Sequence, residues 1–213
     1  MSSAWLTIDN DAESGSPYDH NGMAQDVVSL GDLDGDGTDD LAMSNPHWDR
    51  PDSANEGAVM LWLGDDLAGG GTRVPADASG FVWGIGRGDV AGRTISVVGD
   101  VDNDGLPDVL VGADGVNGLA GDVADAGGAY LVSGATLLQA DADMGDALAS
   151  FYGIREGDYF GELVVGPGDV DGDGVPDLAI GAELCSCDVG EQDAAGAVFL
   201  WWGATVRDGG TYE

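Results

Sequence analysis

Apolar residues in this chain gather in runs of three to six, rich in Val, Leu, Ile and aromatic side chains, and bounded by Gly, Asp or Pro. Short runs of this kind with turn residues on both sides predict β-strands. No apolar stripe of 3.6-residue period lasts three turns, so no helix is expected; the stretch from Ala135 to Ala147 comes nearest to a helical turn. The runs recur in a fixed order. One strand leads into a cluster of aspartates (Val27 to Leu30, Ile95 to Val98, Leu163 to Val165), and a second leaves it (Leu41 to Met43, Val109 to Val111, Leu178 to Ile180). A third is a Gly-Ala run (Ala58 to Leu63, Ala129 to Val132, Ala197 to Trp202), and a fourth precedes the next cluster (Phe81 to Trp83, Leu148 to Tyr152). Four short antiparallel strands per repeat is the blade of a β-propeller, so the expected class is all-β, with three blades in the chain.

The repeat is visible in the letters themselves. GDLDGDGTDDLAMS begins at Gly31, GDVDNDGLPDVLVGA at Gly99 and GDVDGDGVPDLAIGA at Gly168, and their first aspartates are 68 and 69 residues apart. A second landmark follows each, Gly57-Ala58, Gly128-Ala129 and Gly196-Ala197, at 25, 28 and 27 residues from that aspartate. A third precedes it, Phe160-Gly161 and Ala91-Gly92, with Met23-Ala24 as a degenerate copy. Three landmarks at near-constant offsets define repeats at about 21–88, 89–157 and 158–213 within one segment. The last repeat stops after its third strand, while the chain opens with an orphan strand, Ala4 to Ile8. Residues 3–8 therefore read as a closing fourth strand, completing a blade of this chain or of a partner.

Composition narrows the class. Six Lys+Arg stand against 40 Asp+Glu, a formal charge of -34. Binding to nucleic acid or to an anionic membrane needs clustered cations, so neither is expected. No run of 18 apolar residues exists to span a bilayer. Hydrophobic residues make up 43% of the chain, which argues against disorder. Of the acids, 33 are Asp and seven are Glu. Acid added for solubility alone could be Glu as readily, whereas short Asp side chains suit turns and tight oxygen cages.

Within each cluster, positions one, three, five and nine are aspartate: Asp32, Asp34, Asp36 and Asp40; Asp100, Asp102, Asp104 and Asp108; Asp169, Asp171, Asp173 and Asp177. Position six is always Gly, and position seven (Thr38, Leu106, Val175) can offer a backbone carbonyl. Alternate side chains around a permissive Gly let a short loop wrap oxygens round one ion. Four carboxylates so close repel unless a cation lies among them. An all-oxygen set suits Ca²⁺; Mg²⁺ usually keeps several waters, and Zn²⁺ would want Cys or His. The EF-hand shares the first half of this spacing but needs Glu at position twelve, where Met43, Val111 and Ile180 stand. Three Ca²⁺ sites in hairpin loops are expected. A plain acidic turn is the alternative, yet no turn needs four Asp at this spacing.

These residues resemble the FG-GAP repeats of integrin α-subunit propellers, with Phe-Gly, then an Asp-rich Ca²⁺ loop, then Gly-Ala and strand residues, over roughly residues 22 to 203. Bacterial secreted proteins carry similar repeats. Integrin-type propellers have seven blades and this chain has three. The resemblance implies a Ca²⁺-rigidified extracellular module, a scaffold whose loops bind a protein or a glycan in adhesion. Other readings are a structural segment assembling into a larger ring, or a non-catalytic domain of a secreted enzyme. An enzyme is not expected, since no Gly-x-Ser-x-Gly elbow and no HExxH occurs. Two copies of three blades would make a six-bladed ring, so a homodimer is one expected assembly. Loops of this kind belong where Ca²⁺ is near millimolar, although Met1-Ser2-Ser3-Ala4-Trp5 has neither the basic nor the apolar region of a secretion signal.

Four features invite other readings. Arg87-Gly88-Asp89 spells an integrin-recognition tripeptide, but Gly88-Asp89 aligns with Gly157-Asp158, so it reads as repeat scaffold. Cys185 and Cys187 could form a small-ring disulfide, hold a soft metal or stay free. His47 reads as loop decoration, and Trp48 as an exposed loop contact for a ligand, while the other tryptophans read as core.

Overall fold

The computed structural model describes residues 6–9, 24–50, 54–185 and 195–213. The first repeat holds β2 (Val27–Gly31), β3 (Asp40–Asn45), β4 (Ala58–Trp62), a helical turn α1 (Gly64–Leu67), β5 (Gly71–Arg73) and β6 (Gly80–Trp83). The second holds β7 (Ile95–Gly99), β8 (Asp108–Ala113), β9 (Gly128–Val132), α2 (Gly134–Leu137), β10 (Ala142–Asp143) and β11 (Ala149–Tyr152). The third holds β12 (Phe160–Gly168), β13 (Asp177–Ala182), β14 (Ala197–Trp201), α3 (Gly203–Val206) and β15 (Gly210–Tyr212), and β1 (Leu6–Ile8) precedes them all. The protein is all-β, and its expected strands one to four fall where the apolar runs put them. Residues 3–5 of the orphan strand lie outside the described residues.

Strands β2-β3-β4-β6 and β7-β8-β9-β11 are antiparallel meanders, and β12-β13-β14 is a meander of three. The short turn-and-strand unit after each third strand was not expected from the sequence. A single helical turn is too short to show a 3.6-residue period. Its strand leaves its own repeat and pairs in parallel with the fourth strand of the preceding one. Thus β10 adds to β6, β15 adds to β11, and β5 adds to β1. Each complete blade therefore carries a fifth strand lent by its successor. The three α turns correct the helix-free expectation.

The register also corrects one landmark. Leu41, Val109 and Leu178 pair with Trp62, Val132 and Trp201, which makes Ala58, Gly128 and Ala197 equivalent. The residues before them are Gly57, Gly127 and Gly196, all at positive φ. The middle landmark is thus Gly127-Gly128, one residue earlier than the Gly-Ala match placed it. The reason for glycine is contact between blades. Gly57 and Gly127 bridge in parallel to Ala91 and Phe160, the Phe-Gly landmark of the next repeat. A Cβ at either glycine would lie 2.1 Å from the carbonyl oxygen it faces. The two landmark types are the two halves of one blade junction. Met23 lies outside the described residues, but Gln25 N–H donates to Ser44 as Gly92 N–H does to Gly112, so the first copy of that landmark carries no glycine.

Blades pack face to face. Val59, Leu61 and Val82 meet Val109, Tyr130 and Val132 between the first pair, and Ala129, Leu131 and Phe151 meet Phe160, Leu178 and Ile180 between the second. Sandwiched on both sides, β4 and β9 are buried at every residue. The innermost strands are laced by polar side chains. Asp26 accepts from Ile95 N–H, Thr94 Oγ1 from Val164 N–H and Ser96 Oγ from Gly166 N–H. The free face of the first blade is closed by Trp48, Met60, Trp62, Phe81 and Trp83, with Ile8 of β1 against them.

The junction gives a paired prediction. Gly127→Ala forces a side chain into a left-handed backbone and onto a carbonyl, and should cost roughly 2–5 kcal/mol. Gly128→Ala, at the position where its equivalents are Ala58 and Ala197, should cost less than about 1 kcal/mol. Urea melts of the two variants give the comparison; equal losses would sink the junction reading.

Candidate functional site

Each acidic loop is a hairpin connection between the first two strands of a blade, and its backbone is folded by its own carboxylates. Position one caps the sharp turn: Oδ2 of Asp32, Asp100 and Asp169 accepts from the N–H of Gly37, Gly105 and Gly174 at 2.9–3.0 Å. Oδ1 of Asp34, Asp102 and Asp171 accepts from the N–H of position five at 3.0–3.1 Å. Asp36, Asp104 and Asp173 accept in turn from Thr38, Leu106 and Val175 at 2.7–2.8 Å. Position seven is thus placed as a backbone donor into the loop. Much of each oxygen ring is prearranged by hydrogen bonds from the chain itself.

Position nine has a different task. Asp40, Asp108 and Asp177 are wholly buried. Their Oδ2 accepts from the N–H of Leu33, Val101 and Val170 at 2.7–2.8 Å, and their Oδ1 from Gly64, Gly134 and Gly203 at 2.8–3.0 Å. One carboxylate thus clamps the loop to the α turn after the third strand. Sequence reasoning counted it only as a ligand and missed the clamp, because its partner glycines lie 24 or 26 residues away. It also missed position two. Leu33 and Val101 are 2% and 1% exposed, inserted between blades, whereas Val170 is 53% exposed.

The structure brings three carboxylates of each loop together, with one oxygen of each within 4.8 Å of the others: Asp32, Asp34 and Asp36; Asp100, Asp102 and Asp108; Asp169, Asp171 and Asp177. Asp40, Asp104 and Asp173 stand outside these closest triplets. Crowding shows in the proton affinities. Loss of water, then repulsion from neighbouring carboxylates, holds Asp34, Asp102 and Asp171 above the usual carboxylate range. Asp36 is held below it by the Thr38 hydroxyl and N–H. Burial pushes Asp108 up to about 6, against the hydrogen bonds from Val101 and Gly134.

The remaining candidates fall into place. Asp89 is buried, and its carboxylate turns inward to accept from Gly86 N–H, so Arg87-Gly88-Asp89 offers no free carboxylate to a partner. Trp48 is 3% exposed and packs edge-on to Phe81 and Trp83, at 5.6 and 5.9 Å between ring centres; it is core, not an exposed contact. Trp62 and Trp83 are core too, but Trp202 is largely exposed, and Trp5 lies outside the described residues. His47 lines an open cavity of about 310 Å³ with Arg93 and Asp114. Cys185 is buried and disulfide-bonded, which closes the free-thiol and soft-metal readings for it; Cys187 lies outside the described residues.

Propeller-type blades joined by glycine junctions and bearing an acidic hairpin loop each define a class of repeat. Residues 26–62 match the model of the FG-GAP repeat family. Integrin alpha-4 of Xenopus laevis is 32% identical over 160 residues, 74% of this chain and 14% of that protein. Integrin alpha-3 of Cricetulus griseus is 31% identical over 160 residues, 73% of this chain and 14% of that protein. Integrin alpha-D of Homo sapiens is 30% identical over 157 residues, covering 71% and 12%. The chain is an integrin-like FG-GAP repeat protein, and it spans about a seventh of the length of these relatives.

The two roles of aspartate separate in a metal-free solution. Asp108→Ala strands two buried N–H groups and should cost about 1–3 kcal/mol for each, with or without metal. Asp102→Ala should leave stability in EDTA nearly unchanged. Chemical unfolding in EDTA distinguishes them, and equal effects would refute the clamp.

The proton affinity of Asp108 sets a pH dependence. Between the ordinary value of 3.8 and about 6 the folded chain keeps a proton that the unfolded chain releases. In EDTA its contribution to stability should therefore fall as pH rises through that window. Asp108→Asn should remove this component, read as the difference between the two melting-temperature profiles.

Proposed function

We propose that this chain is a calcium-binding extracellular module, a rigid and non-enzymatic scaffold that presents its loops to a protein or glycan ligand in adhesion. The observation that carries the reading is the triplet of carboxylates within 4.8 Å in all three repeats, held by hydrogen bonds that leave further lone pairs for an ion. The donor set is all oxygen, hard and irregular, which favours Ca²⁺ over Mg²⁺ and Zn²⁺. The three ions would lie among Asp32, Asp34, Asp36, Thr38 and Asp40, among Asp100, Asp102, Asp104, Leu106 and Asp108, and among Asp169, Asp171, Asp173, Val175 and Asp177.

Rigidity follows from position. Each loop sends its ninth residue onto the α turn, and the first two send their second residue, Leu33 and Val101, into the next blade, so an ion that fixes either of those loops also fixes the junction. Modules outside the cell meet enough Ca²⁺ to fill weak sites. The similarity to integrin alpha chains supports surface location and adhesion. Among the described residues no helix is long and apolar enough to cross a membrane.

Calorimetry tests the ion. A folded-state ligand at a hundredfold excess over Kd stabilises by about 2.7 kcal/mol per site, so Ca²⁺ should raise the melting temperature far above that in EDTA. Titration should fit three sites, reduced to two in Asp102→Ala. A melting curve that ignores EDTA would sink the assignment. A glycan and protein array probed in Ca²⁺ and in EDTA tests the ligand role.

A further inference from the structure

Every complete fourth strand in this fold has two neighbours. β6 lies between β4, antiparallel, and β10, parallel; β11 lies between β9 and β15 in the same way. Among the described strands β1 and β14 depart from this pattern, and they lack opposite things. β1 has its parallel neighbour β5 but no antiparallel one, and β14 has β13 but no fourth strand. The parallel registers show what β1 is. Ile8 faces Arg73 as Val82 faces Ala142 and as Phe151 faces Tyr212. β1 thus stands as the fourth strand of a blade lying before the first repeat, already held in place by that repeat.

The acceptor edge is as clearly marked. The equivalents of β14, β4 and β9, are buried at every residue, but Val198 is 72% exposed. Leu163, Val165, Val170 and Leu200 lie bare with it, on the face that in the other blades meets a successor. An apolar face beside an unpaired strand edge is a template for strand addition. The first and third blades expose different surfaces, so the contact between copies is head-to-tail and closes only if its rotation does. Two copies supply six blades, within the four to eight that propellers use.

We propose that two copies of this chain close into a six-bladed ring by exchanging strands, β1 of each completing the β12-β13-β14 blade of the other. The register follows from the complete blades. Val59 faces Val82 and Ala129 faces Phe151, so Ile8 of one copy faces Val198 of the other; Thr7 then faces Phe199, and Leu6 faces Leu200. Ile8 and Leu6 fall on the bare face beside Val198 and Leu200, extending it as Val82 and Phe151 extend theirs. The inference is independent of the calcium reading, because it rests on strand edges and not on the acidic loops.

Sedimentation equilibrium of the 213-residue chain should give twice its 21.5 kDa. Val198→Asp alters a residue that is exposed within one copy, so it should keep the cooperative melt and sediment as a monomer. Co-expressed Ile8→Cys and Val198→Cys chains should form a mixed disulfide-linked pair that neither chain forms alone. A wild-type monomer overturns the proposal. A dimer without the mixed link, or an open polymer, overturns it as well.

Discussion

A buried carboxylate held by backbone N–H groups organises each repeat. Burying an ionised or polar group is costly unless it is hydrogen-bonded. Asp40, Asp108 and Asp177 meet that demand with backbone N–H groups from two places at once, the acidic loop and the α turn. Other features follow from that double grip. The loop is held so that position two points into the following blade, and the turn is held so that its short strand reaches the preceding one. A single side chain thus sets the attachment of a repeat in both directions.

That attachment makes the assembly directional. Each junction uses a glycine from one repeat and the Phe-Gly landmark of the next, closed by apolar faces of unequal shape. The two ends of the chain are consequently unlike. The leading face is filled by its own tryptophans and Ile8, while the trailing face presents Val198 and Leu200. Polar lacing of the inner strands by Asp26, Thr94 and Ser96 holds the blades together where little apolar surface is available.

Charge is handled economically. All six cationic side chains are arginines. Arg50 stacks over Trp83, pairs with Glu56 and donates to the Gly84 carbonyl; Arg73 donates to the carbonyls of Asp66 and Gly70; Arg93 spans Asp114 and Glu162 at the second junction. These three serve local architecture, and their ion pairs go to Glu56, Asp114 and Glu162, outside the loops. Within the loops, repulsion is met by backbone donors, by raised proton affinity and, on the reading proposed above, by bound ions.

Much of this was legible in the letters. Apolar runs between Gly and Asp placed the principal strands, because strand residues are chosen for a surface they locally share. The spacing of Asp32, Asp34 and Asp36, and of their counterparts, announced the loops, because hydrogen bonds spanning two to five residues are local. What the letters hid was non-local. Asp108 and Gly134 are 26 residues apart, the β15–β11 pairing joins two repeats, and only the register made Gly127 the junction glycine rather than Gly128. The burial of Trp48 and Asp89 was likewise decided by neighbours from distant strands. Sequence by itself determined the repeat, its strands and the chemistry of its loops; tertiary structure alone decided which carboxylate is a clamp, which strand is lent to which blade and which face stays bare, since each depends on contacts that no local pattern encodes.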